Sequence, residues 1–292
     1  MHRYMRAIGF SKLNRKKLQG LVTDVIVNSK DRLYTSLDDE NIVASFKKEI
    51  APGVGIIVVG QFDENDQFAY DYYFPYIDAE LTSTEEDVSV ERHAATESYA
   101  GVFEDPRMGI TIIFYLQNMI PYVKALRSDI LPIKGTTLSL SALSLDGIIL
   151  MPLHKTINDV VSNIQNNKGR NKLLLAAKSG DEEAIESLTL NDMDTYTTLA
   201  QKIKQEDLYT IVDTSFMPFG VECDQYSIVG EIIEYDEVVN AISGETVYRL
   251  QLLVNDVMIR VAVNKADVFG EPAVGRRYKG NIWLQGKINF PS

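Results

Sequence analysis

The chain has 292 residues, 45% hydrophobic and 24% charged, a composition ordinary for a packed protein and unlike a disordered, collagen-like or disulfide-stapled one. Its formal net charge of −12 disfavours non-specific attraction to nucleic acid or anionic lipid, and its single cysteine, Cys223, leaves no intramolecular disulfide. With no apolar run approaching a bilayer span and no export signal in MHRYMRAIGF, the expected location is the cytoplasm, with no membrane partner.

In chain order, Leu13, Leu18, Leu21, Val22, Val25 and Ile26 recur at helical spacing and predict a helix over roughly 14–28. Its basic residues Arg15, Lys16 and Lys17 read as a solvated face. Val54 to Phe62 and Gln67 to Ile77 read as a hairpin about Asp63-Glu64-Asn65-Asp66. A calcium loop would need an oxygen ligand and then glycine where Gln67 and Phe68 stand, so this is a turn. Further pairs are expected at about 88–104 with 109–117, turning at Pro106 and Gly109, and at Thr136 to Ser144 with Gly147 to Met151, turning at Asp146-Gly147. A second helix is expected over 117–127. Residues 1–154 therefore read as an antiparallel α+β domain with one or two helices.

Residues 155–224 change character. Ser179 followed by Glu182, and Thr189 followed by Asp192, resemble capping boxes, and Asp181-Glu182-Glu183 suits the positive end of a helix dipole, so a helical middle segment is expected. From Tyr226 onward strand patterns return at Tyr226 to Tyr235, Thr246 to Val254, Val257 to Asn264 and Tyr278 to Phe290. Four or five antiparallel strands in residues 225–292 suggest a small β-barrel-like module, of which the oligonucleotide-binding (OB) type is one member. The whole is an α+β chain in three parts.

The opening MHRYMRAIGF, the junction FMPFGVECDQYSIVGEI and the ending GEPAVGRRYKGNIWLQGKINF together resemble an uncharacterised protein family of anaerobic Firmicutes, chiefly Clostridia. That resemblance spans the chain and implies a bacterial cytosolic origin. It brings no activity, ligand or catalytic residue with it.

Chemistry-bearing residues are few. On one strand through 88–104, Glu91, His93 and Glu97 would share a face, and an imidazole with two carboxylates suits zinc, iron or manganese; a solvated strand face explains the same pattern. Cys223 lies between Glu222 and Asp224, which oppose a thiolate, so it reads as packed and inert. Pro52-Gly53-Val54-Gly55 precedes a strand rather than a helix and offers no phosphate cradle, and no nucleotide or nucleophile-elbow motif is present, so no cofactor is expected.

The last strand is the most informative. Tyr278, Gly280, Ile282, Leu284, Gly286, Ile288 and Phe290 fall on one face, while Lys279, Asn281, Trp283, Gln285, Lys287 and Asn289 fall on the other. If the neighbouring strands align their polar faces with it, Arg249, Arg260, Lys279 and Lys287 surround Trp283, a pattern used to stack single-stranded bases and neutralise phosphates. Burial of Trp283 at a domain contact is the competing reading. Net charge weighs against nucleic acid. The expected function is thus non-catalytic binding, with a protein as partner. Single-stranded nucleic-acid recognition through the C-terminal module is the alternative, and a metal-dependent or small-molecule enzyme in the N-terminal domain the third class.

Overall fold

In a computed structural model of the chain, the residues described are 2–37, 41–63, 65–92, 98–128, 131, 135–153, isolated positions between 173 and 187, and 212–291. A 3-10 turn at Arg3–Ile8 leads into helix α1, Arg15–Asn28. Asn14 caps that helix, its side chain accepting from the Lys17 amide at 2.9 Å, and Leu18, Leu21, Val22 and Val25 form its buried stripe. Four strands follow, β1 (Asp31–Ser36), β2 (Ile42–Ala51), β3 (Val54–Phe62) and β4 (Phe68–Ile77), paired antiparallel in that order. The β3–β4 turn is held by Asp63, whose Oδ1 accepts from the amides of Asn65 and Gln67. The other strands are β5 (Ser89–Arg92), β6 (Tyr99–Glu104), β7 (Thr111–Leu116), β8 (Thr137–Ser144), β9 (Gly147–Leu150), β10 (Ser215–Pro218), β11 (Gln225–Val239), β12 (Thr246–Val254), β13 (Val257–Asn264), β14 (Val268–Phe269) and β15 (Arg277–Asn289), with helix α2 at Met119–Arg127 between β7 and β8. They form one mixed sheet of 11 strands.

Three expectations change here. The segment 88–104 is not one strand: β5 ends at Arg92 and pairs antiparallel with β6, and His93 and Glu97, expected on one strand face with Glu91, lie outside the described residues. Asp146-Gly147 does not close a hairpin. Ala142 pairs with Leu284 and Ile148 with Lys279, so β8 and β9 run along the same side of β15 in one direction with one extra residue between them, a bulge. Ser144 Oγ and the Tyr278 hydroxyl both donate to the Asp146 carbonyl and hold it. Finally, the strands beyond 225 do not close on themselves: β8 lies between β13 and β15, and β7 pairs with β15, so strands from both ends of the chain share one sheet. The helical middle segment falls largely outside the described residues, whose 212–224 stretch contains β10.

Pairing within the large sheet returns to its start, because β11 pairs with β12 through its second half and with β15 through its first. Along the ring β11, β12, β13, β8 and β15, one face carries Ile228, Leu250, Leu252, Ile259, Val261, Leu140, Ile282 and Leu284, all buried. The β12–β13 turn is Asn255-Asp256, both with positive φ (47° and 62°), which matches the right-handed twist of a tight hairpin. The four-stranded sheet lies on the outer face of this ring. Its far side is covered by α1, and Met5, Ala7 and Ile8 of the 3-10 turn are buried where that turn contacts β4, β8 and β13.

Candidate functional site

The five residues expected to make a basic and aromatic surface do share one strand face. Gln251 stands opposite Arg260, Arg260 opposite Ser141, and Ser141 opposite Gln285, which carries Arg249, Arg260, Trp283 and Lys287 onto the same side. That side is where the four-stranded sheet and the 3-10 turn pack. Trp283 is only 5% exposed; its indole stacks on Tyr4 at 5.4 Å, lies 4.7 Å from the His2 ring and 5.1 Å from Tyr115, and donates to Asp224 Oδ2 at 2.7 Å. The ring is therefore not displayed, and the stacking platform expected for bases is occupied from within. Arg249 donates to Asp236 and to the Pro52 carbonyl, Arg260 reaches the same Asp236 at 3.4 Å, and Lys279 is half-buried. Lys287 alone of the five is exposed.

Polar residues on this face are consumed by the seam between the sheets. Gln285, fully buried, donates to the Pro75 carbonyl at 2.9 Å, and Gln117 Nε2 approaches the Ile77 carbonyl, Ser141 Oγ and Gln285 Oε1 at 3.2, 3.0 and 2.8 Å. These bonds satisfy carbonyls of β4 that its edge leaves unpaired, as burial requires.

At one end the seam opens into a cleft of about 190 Å³. One wall is a row across the four-stranded sheet, Asp31, Lys47 and Ile57, with Leu33, Ser45 and Asp78 beside it; the other is the start of α2, residues 118–121, with Gln117 and Lys287. Lys47 Nζ binds both Asp78 oxygens at 2.7 and 3.0 Å and sits 4.4 Å above the Tyr76 ring. The Tyr76 hydroxyl is buried without a hydrogen-bond partner, and burial, then the carboxylates of Asp78, Glu49 and Asp31, push its pKa up. Among the described residues, neither the Lys287 ammonium nor the Asp31 carboxylate has a hydrogen bond or ion pair.

Elsewhere among the described residues several charges are matched. Arg6 pairs with Asp267, Lys265 with Glu237, and Arg107 with the buried Asp105. Burial alone would raise the Asp105 pKa, but the Arg107 guanidinium and backbone amide hold it below the usual carboxylate range. Two wider depressions, about 580 and 630 Å³, offer less: the first borders positions outside the described residues, and in the second Arg107 is engaged by Asp105, Ser83 and Asp256.

The match that places the chain among known sequences covers residues 5–286 and is to a domain of unknown function described from E. rectale, DUF3881. The chain belongs to the DUF3881 family. No curated protein and no solved structure matches it. The family thus fixes kinship and leaves chemistry to the residues themselves.

Of the proposed metal ligands, Glu91 is exposed on β5, while His93 and Glu97 lie outside the described residues. Among the described residues no three of His, Cys, Asp and Glu cluster as metal ligands would. Cys223 is exposed rather than packed. No helix among the described residues is long and apolar enough to cross a membrane. Lys47, Asp78, Asp31 and Gln117 were not singled out from sequence. Only Lys47 leaves a signal, and it is faint: a charge inside a β2 pattern whose neighbours Val43, Ala44, Phe46 and Ile50 are apolar.

Proposed function

We propose that this chain is a non-catalytic cytoplasmic binding protein whose ligand seat is the cleft between the four-stranded sheet and the start of α2. One observation carries this: among the described residues, Lys287 and Asp31 are charges of opposite sign without an ion pair on a shared concave surface, whereas Lys47 and Asp78 beside them, like Arg107 with Asp105 and Arg249 with Asp236, are paired. Unspent charge on a concavity is what fixes a small polar ligand. A small ligand thereby takes the place of the protein partner expected from sequence, because the charges converge on a cleft and not on a face. The strand ring β11–β12–β13–β8–β15 we read as a small β-barrel of apolar interior that serves as scaffold; it holds β15, and with it Lys287, against the first sheet.

The test is thermal unfolding of the full chain against a panel of small polar metabolites. A ligand at about 100 times its Kd adds roughly 2.7 kcal/mol to the folded state, and the expected hits lose that stabilisation in Lys287→Ala and Asp31→Asn. Hits indifferent to both substitutions, or a panel without hits, would refute the cleft as the seat.

A further inference from the structure

Independently of the cleft, we infer that His2 is a proton-operated cover on Trp283: its ring, when charged, leaves the indole and opens it to solvent while both sheets stay folded. The indole is enclosed by rings from several elements, with His2 at 4.7 Å, Tyr4 at 5.4 Å and Tyr115 at 5.1 Å. The neutral imidazole fits there as one more flat ring. The charged one does not, because both of its nitrogens then carry a donor and Nδ1 is buried without a hydrogen-bond partner. The aromatic faces do not hold it either. The Arg3 guanidinium already lies 4.9 Å from the centre of the Tyr4 ring, where it takes the place of a cation and repels a second one.

His2 leaves alone because it is fastened apart from the turn that follows. Its φ of −66° and ψ of 122° put it outside the 3-10 turn. Its amide donates to the Tyr73 hydroxyl at 2.9 Å, and its carbonyl accepts from the Met5 amide at 3.2 Å. From Met5 onward the segment has anchors of its own: Met5, Ala7 and Ile8 are buried, Arg6 pairs with Asp267, and Asn240 and Asn264 donate to the Ile8 and Arg6 carbonyls. Departure of the His2 ring therefore uncovers part of the indole without freeing the turn.

The charged groups around His2 either oppose its proton or are engaged elsewhere. Its own segment brings Arg3 and the amino terminus, both positive. β4 brings the Tyr73 hydroxyl, β7 the Tyr115 hydroxyl beyond the indole, and β15 carries Lys279 on the same strand face as Trp283. Before β11, the carboxylates of Asp224 and Glu222 act on Tyr4, and Asp224 is engaged by the indole N–H at 2.7 Å. Burial, then Arg3 and the amino terminus, lower the His2 pKa from 6.5 to about 4. Once released, the ring regains its ordinary pKa, so the ratio of uncovered to covered forms rises about 20-fold from pH 7 to pH 5 and about 100-fold by pH 4.

The experiment is acrylamide quenching of the sole tryptophan in the full chain from pH 7 to pH 4, with far-UV circular dichroism on the same samples. The quenching constant is expected to rise between pH 5 and pH 4, in step with that change in ratio, while the sheet signal holds. His2→Phe, whose ring takes no proton, is expected to stay shielded throughout. Arg3→Gln, at an exposed position, relieves the repulsion in the covered form and is expected to move the rise to lower pH. Quenching that stays flat to pH 4, a rise that coincides with loss of the sheet signal, or an equal rise in His2→Phe each overturns the inference. Should His2→Phe fail to fold, the Arg3→Gln shift decides, and a rise unmoved or moved to higher pH overturns the cover.

Discussion

His2 links the fold to pH in a way that a single ring-for-ring substitution isolates. Its imidazole is packed against Trp283 and Tyr4, and burial, then the Arg3 guanidinium and the amino terminus, lower its pKa from 6.5 to about 4. A lowered histidine pKa means the folded chain prefers the neutral ring. Between pH 6.5 and about 4 the unfolded chain therefore binds a proton that the folded chain refuses, and stability falls as pH falls through that window. At 1.36 kcal/mol per unit, the loss reaches about 2 kcal/mol at pH 5 and about 3 kcal/mol near pH 4. The carboxylates with resolved shifts, Asp24 and Asp105, are lowered below 3.8 and titrate beneath this range. His2→Phe keeps a planar ring against the indole and removes the titration. Urea unfolding followed by the fluorescence of Trp283, the sole tryptophan, should show the parent losing about 2 kcal/mol more than His2→Phe between pH 7 and pH 5. Parallel pH dependence in the two proteins would refute the reasoning.

Other substitutions test the packing. Gly101 on β6 and Gly286 on β15 flank Phe114, and a Cβ at either would stand 2.0 or 2.4 Å from its ring, so Gly286→Ala should cost about 1–3 kcal/mol and be partly rescued by Phe114→Leu in a double-mutant cycle. Asn240 is fully buried, donates to the Ile8 carbonyl at 2.8 Å and accepts from the Ile242 and Ser243 amides; Asn240→Ala should destabilise by about 2–3 kcal/mol and loosen the 3-10 turn, read as faster hydrogen exchange at residues 3–10. Arg107→Met leaves Asp105, 3% exposed, without its guanidinium, and should cost about 3–5 kcal/mol at pH 7 and less below pH 4, where the carboxyl protonates, measured as a converging difference in urea midpoints.

Local patterns carried most of the elements. The α1 stripe, the Asp63 turn, α2 and the four C-terminal strands lie within a few residues of where spacing and turn chemistry put them, because each is decided by residues close in sequence. β1 and β2 escaped notice. β2 alternates on paper as Val43, Ser45, Lys47 and Glu49 against Ala44, Phe46 and Lys48, but charges on both sides hide the period; only packing shows that one face meets α1 and the other the seam. Asp146-Gly147 misled for a related reason. The dipeptide favours a tight change of direction, yet whether it makes a hairpin or a bulge depends on the partner strand, and β15, 13 residues long, offers one continuous edge to both β8 and β9.

The candidate site was legible only at Lys287, and the reason lies in what a polar strand face signifies. Alternation along β15 separates Ile282 and Leu284 from Trp283 and Gln285, and a polar strand face ordinarily signifies cover by water. In this fold the edge of β4 covers it instead, and its unpaired carbonyls at Pro75 and Ile77 need donors that an apolar face could not supply. Gln285, Gln117 and Ser141 are thus polar because they are buried against backbone, the reverse of the usual inference from polarity to exposure. The same demand shapes the cleft. Gln117 spends its donors on the seam, and Asn118 spends both of its amide groups on β15, which leaves the start of α2 without a side-chain cap. A cleft lined by members of a structural network has no sequence motif, since what each residue leaves free is defined by where its other atoms are engaged.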